Sequence, residues 1–327
     1  MHRIKLLYTG GTLCMTGDPL VPSELGQQLI TNLPELQGLI DLDVEIISNL
    51  DSSDIGPEIW TALAERIAEC RTDFDGFLIT HGTDTMAYTA SALSFALEGL
   101  DRPVILTGAQ RPLSALRSDA RRNLTDAAEL ATLSIPEVGI CFDGLLLRGC
   151  RATKSNTRAY HAFDSPGCQP LAKLGVDVEL SPGIRRPVLP FRCDSRFDPR
   201  VAVVFVTPGL TPALLEHLID AGSDKLRGIV LAAFGAGTLP AAQRPLAPVI
   251  KKAVDGGIDV LVANQSAGMI NLGLYENSKV LADAGAIGGG QMMLEAAVAK
   301  LMHALSVFPR RSDRLRYLLW NMAGEME

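Results

Sequence analysis

Residues 75–100, DGFLITHGTDTMAYTASALSFALEGL, set an apolar run, a tight glycine turn and a helical pattern in that order. The run DGFLIT is short and rich in β-formers, whereas TMAYTASALSFALEGL (85–100) carries apolar residues at helical spacing. His81-Gly82-Thr83-Asp84 lies between them. The same succession opens the chain, where MHRIKLLYTGGTLCM runs a buried strand into Thr9-Gly10-Gly11-Thr12. Three readings are open at these junctions: two phosphate cradles, two plain turns, or two halves of one site.

Working outward, LLYT, DVEII, DGFLIT, PVILTG and VGICF alternate with the helical patterns at 57–71, 85–100 and 116–133. Alternation of this kind predicts an α/β fold, a mostly parallel sheet covered by helices. Asp54 reads as the cap of the helix at 57, with Pro57 in its first turn. The pattern breaks at SPGIRRPVLPFRCDSRFDPR (181–200), whose four prolines and lack of period read as a linker. Alternation then resumes in VAVVFVTPG, RGIVLAAFG and IDVLVAN, with helices near 211–221, 241–255, 290–306 and 310–322. A chain of 327 residues exceeds one typical domain. The expected organisation is a larger N-terminal catalytic α/β domain over 1–181, a linker over 182–200 and a smaller C-terminal α/β domain over 201–327.

Composition narrows the function. A net charge of −7 with scattered basic residues argues against nucleic acid or an anionic membrane as partner. No apolar stretch reaches the length of about 18 residues that a membrane helix needs. The apolar run at the N-terminus breaks at Thr9-Gly10-Gly11 and lacks a signal-peptide core, so the chain is expected in the cytosol. Cysteines 14, 70, 141, 150, 168 and 193 form no Cys-x-x-Cys pair and read as reduced, mostly buried thiols.

Several chemistries drop out on spacing. The first turn lacks the lysine of a Walker loop and the glycine spacing of a dinucleotide fingerprint. FGAGTLP (234–240) is a lone Gly-x-Gly. There is no Gly-x-Ser-x-Gly elbow and no His-Glu-x-x-His pair, so neither an α/β-hydrolase nor a zinc hydrolase is indicated.

Hydroxyls, one acid and one base remain. In open α/β sheets ligands bind beyond the carboxyl ends of strands, where both Gly-Thr turns and Asp51-Ser52-Ser53 fall. A threonine hydroxyl becomes a useful nucleophile once a neighbouring base takes its proton. Lys154, in RGCRATKSN, is the base or relay, since lysine desolvated or set beside a cation gives up its proton more readily. Asp84 orients it or binds a substrate ammonium. Each residue also has a purely structural reading: Thr12 and Thr83 as helix caps, Asp84 as a first-turn acid, Lys154 as a surface charge, Ser52 and Ser53 as loop residues, His81 as a turn residue satisfied by backbone. The residues alone lead to a small-molecule enzyme using threonine or lysine chemistry.

Taken together, YTGGTLCM, LDSSDIGPEIW, LITHGTDTMAYTASALSF, VILTGAQRPLSALRSDARRNLTDA and RGCRATKSNTRAYHAFDSP resemble bacterial cytosolic (type I) L-asparaginases. The likeness runs from end to end, including VFVTPGL, NLGLY and AGAIGGGQM. It implies hydrolysis of L-asparagine to L-aspartate and ammonia through an acyl-enzyme, with no metal or cofactor and a homodimer or homotetramer as the assembly. By position, Thr12 resembles the nucleophile, and Thr83, Asp84 and Lys154 the group that polarises a hydroxyl or a water. Asp51, Ser52 and Ser53 match the loop that holds the substrate's α-carboxylate and α-amine, and Asp84 also matches an α-ammonium ligand.

Three departures stand out. Leu20 falls where the family's lid carries a tyrosine, so another group activates Thr12, the lid works differently, or activity is reduced. Ala232 occupies the place of an arginine that serves an intersubunit regulatory site, which implies no such regulation. The loop NQSAG (264–268) is one residue short. Two rivals are an amidotransferase subunit, which carries an additional N-terminal domain, and an amino-acid sensor without turnover, which has no need of a nucleophile.

Overall fold

Nine residues from His2 to Gly10 form the first strand, β1, and all but its first two are buried. A computed structural model of the chain describes residues 1–17, 21, 22, 36, 38–220 and 226–326. Leu20 lies outside the described residues. The chain forms two units, Met1–Ser195 and Arg196–Glu327.

In the first unit, β1 is followed by β2 (Ile40–Leu50), β3 (Gly76–Thr80), β4 (Val104–Thr107) and β5 (Val138–Phe142), then by β6 (Leu145–Arg148), β7 (Ala172–Leu174) and β8 (Val178–Leu180). They make one sheet in the order β2-β1-β3-β4-β5-β6-β7-β8. The first five run parallel, with Leu6 beside both Val44 and Leu78. The last three are antiparallel additions. The expected mostly parallel sheet is therefore present, with an antiparallel edge that periodicity did not announce.

Helices α1 (Pro57–Cys70), α2 (Met86–Ala96) and α3 (Ala120–Leu130) connect the parallel strands. Leu124, Ala127, Ala128 and Leu130 of α3 join Ile4, Leu6, Tyr8, Leu78 and Ile105 in one core. With a strand period of two, Leu7, Ile79 and Leu106 face the opposite side of the sheet. Two local expectations are corrected. The cap of α1 is Gly56, because Asp54 is drawn into a short 3₁₀ turn, Ser52–Asp54, capped by Asp51. Helix α2 ends at Ala96 rather than 100, because Leu97-Glu98 pairs antiparallel with Arg192-Cys193. That pairing and the bond from Ser195 Oγ to Glu65 Oε1, at 2.8 Å, tie residues 192–195 to the first unit.

The second unit carries four parallel strands in sequence order: β9 (Val201–Phe205), β10 (Gly228–Ala233), β11 (Asp259–Asn264) and β12 (Ile287–Gly288). Helices α4 (Pro212–Asp220), α5 (Ala247–Asp255), α6 (Glu276–Asp283), α7 (Leu294–Val307) and α8 (Arg311–Leu319) complete it. It is the smaller α/β unit the alternation predicts, with α6 as an unforeseen element. Ala232 is fully buried in β10, and its carbonyl accepts a bond from Gln265 Nε2 at 2.8 Å. Among the described residues, no helix is long and apolar enough to cross a membrane.

Candidate active site

The parallel part of the first sheet has the order 2-1-3-4-5, so the direction of winding reverses between β1 and β3. At such a switch point the two following loops diverge and leave a crevice at the carboxyl ends of the strands. The loops that leave β1 and β3 are Gly11-Thr12 and His81-Gly82-Thr83-Asp84. The two Gly-Thr turns thus meet because of strand order.

Glycine is required where they touch. Gly11 has φ 91°, and a Cβ there would sit 2.4 Å from the Gly82 nitrogen. A Cβ on Gly82 would in turn stand 2.6 Å from the Ser52 side chain. Any side chain would force the three loops apart. Hydroxyls stitch the same strand ends: Thr9 Oγ1 donates to the Thr80 carbonyl at 2.8 Å, and Ser48 Oγ to the Thr9 carbonyl at 2.9 Å.

Thr12 opens a 3₁₀ turn, Thr12–Cys14, and is half-buried. Ser52 is buried; its Oγ accepts from the Asp84 backbone N–H at 3.3 Å, and its carbonyl accepts from Thr85 Oγ1 at 2.6 Å. Asp51 Oδ1 accepts from both the backbone N–H and the hydroxyl of Ser53, at 2.9 and 2.7 Å. These two bonds hold the Asp51 carboxyl below its usual range.

Lys154 arrives from a separate element. It lies on the two-residue strand Thr153–Lys154, opposite Phe163, whose ring packs against Phe142 at 5.1 Å. From there Nζ donates to Thr83 Oγ1 at 2.7 Å and to Asp84 Oδ1 at 2.6 Å. The Lys154 side chain is 14% exposed and that of Asp84 65%, so the amine is sheltered while the carboxylate faces solvent. Neither Thr83 nor Thr12 caps a helix through its side chain; the residue before α2 is Thr85. The structure joins Ser52, Thr83, Asp84 and Lys154 by direct bonds. Thr12 adjoins them through the Gly11–Gly82 contact, and Asp51 and Ser53 complete the loop around Ser52.

Behind the Gly82-Thr83 turn lies a network that spacing did not reveal. Trp60 Nε1 donates to Thr89 Oγ1 at 3.0 Å, Thr89 Oγ1 lies 2.8 Å from His81 Nε2, and His81 Nδ1 lies 2.7 Å from the Gly82 carbonyl. A carbonyl can only accept, so the proton is on Nδ1 and the Thr89 hydroxyl donates to Nε2. His81 braces the turn as a neutral ring. Burial pushes its pKa from 6.5 down to about 4, against the opposing pull of the Gly82 carbonyl. The unfolded chain binds a proton near pH 6.5 that the folded chain refuses until about pH 4. The stability from this site is therefore complete above pH 6.5 and is lost as pH falls toward 4.

Wild type is expected to lose about 2 kcal/mol more than His81→Gln on going from about pH 7 to about pH 5. Urea unfolding followed by Trp60 fluorescence, in a Trp320→Phe background, reads this difference. Equal pH slopes in the two proteins would contradict the neutral brace.

The asparaginase N-terminal family model matches residues 3–185, and the glutaminase/asparaginase C-terminal model matches residues 200–317. L-asparaginase 1 of Escherichia coli K12 is 36% identical, with 99% of this chain and 97% of that protein aligned. The crystal structure of L-asparaginase I from Vibrio cholerae superposes with a TM-score of 0.90 at 34% identity, covering 100% of this chain and 99% of that one. A glutamyl-tRNA(Gln) amidotransferase subunit from Methanopyrus kandleri is 35% identical over 100% of this chain and 75% of its own length. Fold and relatives together define an amidohydrolase acting on a linear amide. The chain belongs to the asparaginase family, and the resemblance to bacterial type I enzymes extends over both units.

Proposed function

We propose that the protein hydrolyses L-asparagine to L-aspartate and ammonia through an ester on Thr12. The observation that carries this reading is Lys154 Nζ, within 2.7 Å of Thr83 Oγ1 and 2.6 Å of Asp84 Oδ1, beside the Gly11–Gly82 contact. A zwitterionic substrate needs an acid for its ammonium and donors for its carboxylate. Asp84 and the Asp51-Ser52-Ser53 loop supply both at one rim. Backbone N–H groups of the two Gly-Thr turns are suited to the oxygen that gains charge when the amide is attacked.

In this scheme the Thr12 oxygen bonds to the side-chain amide carbon, and its proton leaves with the departing ammonia. Water then breaks the ester and returns the proton to Thr12. Thr83, held by Lys154 and Asp84, polarises the water. The cytosolic, homo-oligomeric setting implied by the resemblance belongs to the same reading.

Ammonia release from L-asparagine and L-glutamine by the wild-type protein tests it. Turnover of asparagine is expected, and an enzyme silent on asparagine would sink the proposal. The family's joint glutaminase/asparaginase model favours a second reading, mixed specificity, because one methylene in a pocket is worth only about 1–3 kcal/mol. Comparable kcat/KM on the two amides would establish it.

A further inference from the structure

We propose that Gln110 is a positioning residue that aims the Thr83 hydroxyl and ties it to the loop delivering Lys154; the inference rests on the amide-hydrolysis reading above. Gln110 follows β4, and its backbone N–H donates to the Asp119 carboxylate at 3.1 and 2.9 Å. The Arg111 N–H donates to Asp119 Oδ1 as well, at 3.0 Å. The backbone is thus anchored without help from the Gln110 side chain.

The side-chain amide has only one orientation that satisfies its neighbours. Nε2 faces two carbonyls, Ala159 at 3.0 Å and Asn156 at 3.4 Å, and carbonyls only accept. Oε1 therefore points the other way, where it lies 3.4 Å from Thr83 Oγ1. The Thr83 oxygen already accepts from Lys154 at 2.7 Å, and a hydroxyl has a single proton to give. That proton points to Gln110, which leaves a lone pair directed at Lys154. The 3.4 Å separation is long, as such bonds often are before substrate binds.

The other end of the amide holds the segment that follows Lys154. Residues 155–162 form a loop in which Asn156 Oδ1 accepts the N–H groups of Arg158 and Ala159, at 2.7 and 2.8 Å. Ser155 and Asn156 both donate to the Ala162 carbonyl, at 2.9 and 3.2 Å. One side chain thus links the hydroxyl that accepts from Lys154 to the loop that brings Lys154 in. Its loss loosens that pair while leaving the substrate's ammonium and carboxylate contacts in place.

Gln110→Met and Gln110→Glu test this through steady-state ammonia release from L-asparagine. In Gln110→Met, kcat is expected to fall about ten- to a hundredfold with KM within about threefold of wild type. In Gln110→Glu, the ionised carboxylate cannot donate to the two carbonyls, whereas the protonated acid donates once and accepts once. Its kcat relative to wild type should therefore rise as pH falls from about 8 to about 5, while the Met ratio stays flat. A purely structural role would move KM along with kcat in the Met variant. Should Gln110→Met fail to fold, the Glu ratio decides alone. A Met variant with kcat within about twofold of an active wild type, or a Glu ratio independent of pH, overturns the proposal. A wild type inactive on asparagine overturns the parent reading instead, and this one with it.

Discussion

Thr12→Ala should reduce ammonia release from L-asparagine by at least about a thousandfold, because it removes the hydroxyl proposed as the attacking atom. Gly11 and Gly82 set Thr12 against the Thr83 turn through backbone contact, with no side chain between them. Thr83 cannot substitute, since its oxygen is engaged by Lys154 at 2.7 Å. The change removes one hydroxyl and one methyl from a half-buried residue, so the fold should survive. Binding of L-aspartate by calorimetry is expected to persist, which separates lost chemistry from a lost site. Undiminished turnover in the variant would remove Thr12 from the mechanism.

Lys154→Met should cost about a hundred- to ten-thousandfold in kcat, the range for removing a positioned proton-transfer group. Methionine keeps the apolar stem and removes the donor that joins Thr83 Oγ1 to Asp84 Oδ1. The two variants differ in what they accumulate. With Thr12 intact and the water-polarising half disabled, an aspartyl ester should build up on the peptide carrying Thr12 and be visible by mass spectrometry. Thr12→Ala should show none. A Lys154→Met enzyme within about tenfold of wild type would mean that Thr83 is activated by another group.

The candidate site residues were nameable from the sequence because each combines a suitable functional group with a place at a strand end. Thr12, Thr83 and the Asp51-Ser52-Ser53 loop all follow apolar runs that the structure shows as β1, β3 and β2. Gln110 also follows a strand, in VILTGAQRP, and the strand-end rule could have flagged it. Nothing in the sequence says that its amide spans 27 residues to Thr83 and 49 to Ala159. The Trp60–Thr89–His81 chain was hidden for the same reason, since Thr89 looks like any residue on the apolar helix α2. Elsewhere, Asp143-Gly144 is an ordinary two-residue hairpin signal that marks the turn between β5 and β6, where the sheet becomes antiparallel.

The sequence by itself determined the alternation of strand and helix, the two α/β units, and the family to which the chain belongs. These follow from periodicity and from motifs that are local, so they can be seen in adjacent residues. Only the tertiary structure decided that β1 and β3 are neighbours and that winding reverses between them. Strand order depends on side chains packing across long separations, which local pattern does not encode. That order sets two similar Gly-Thr turns against each other, and a separate short strand brings Lys154 to Thr83 across 71 residues.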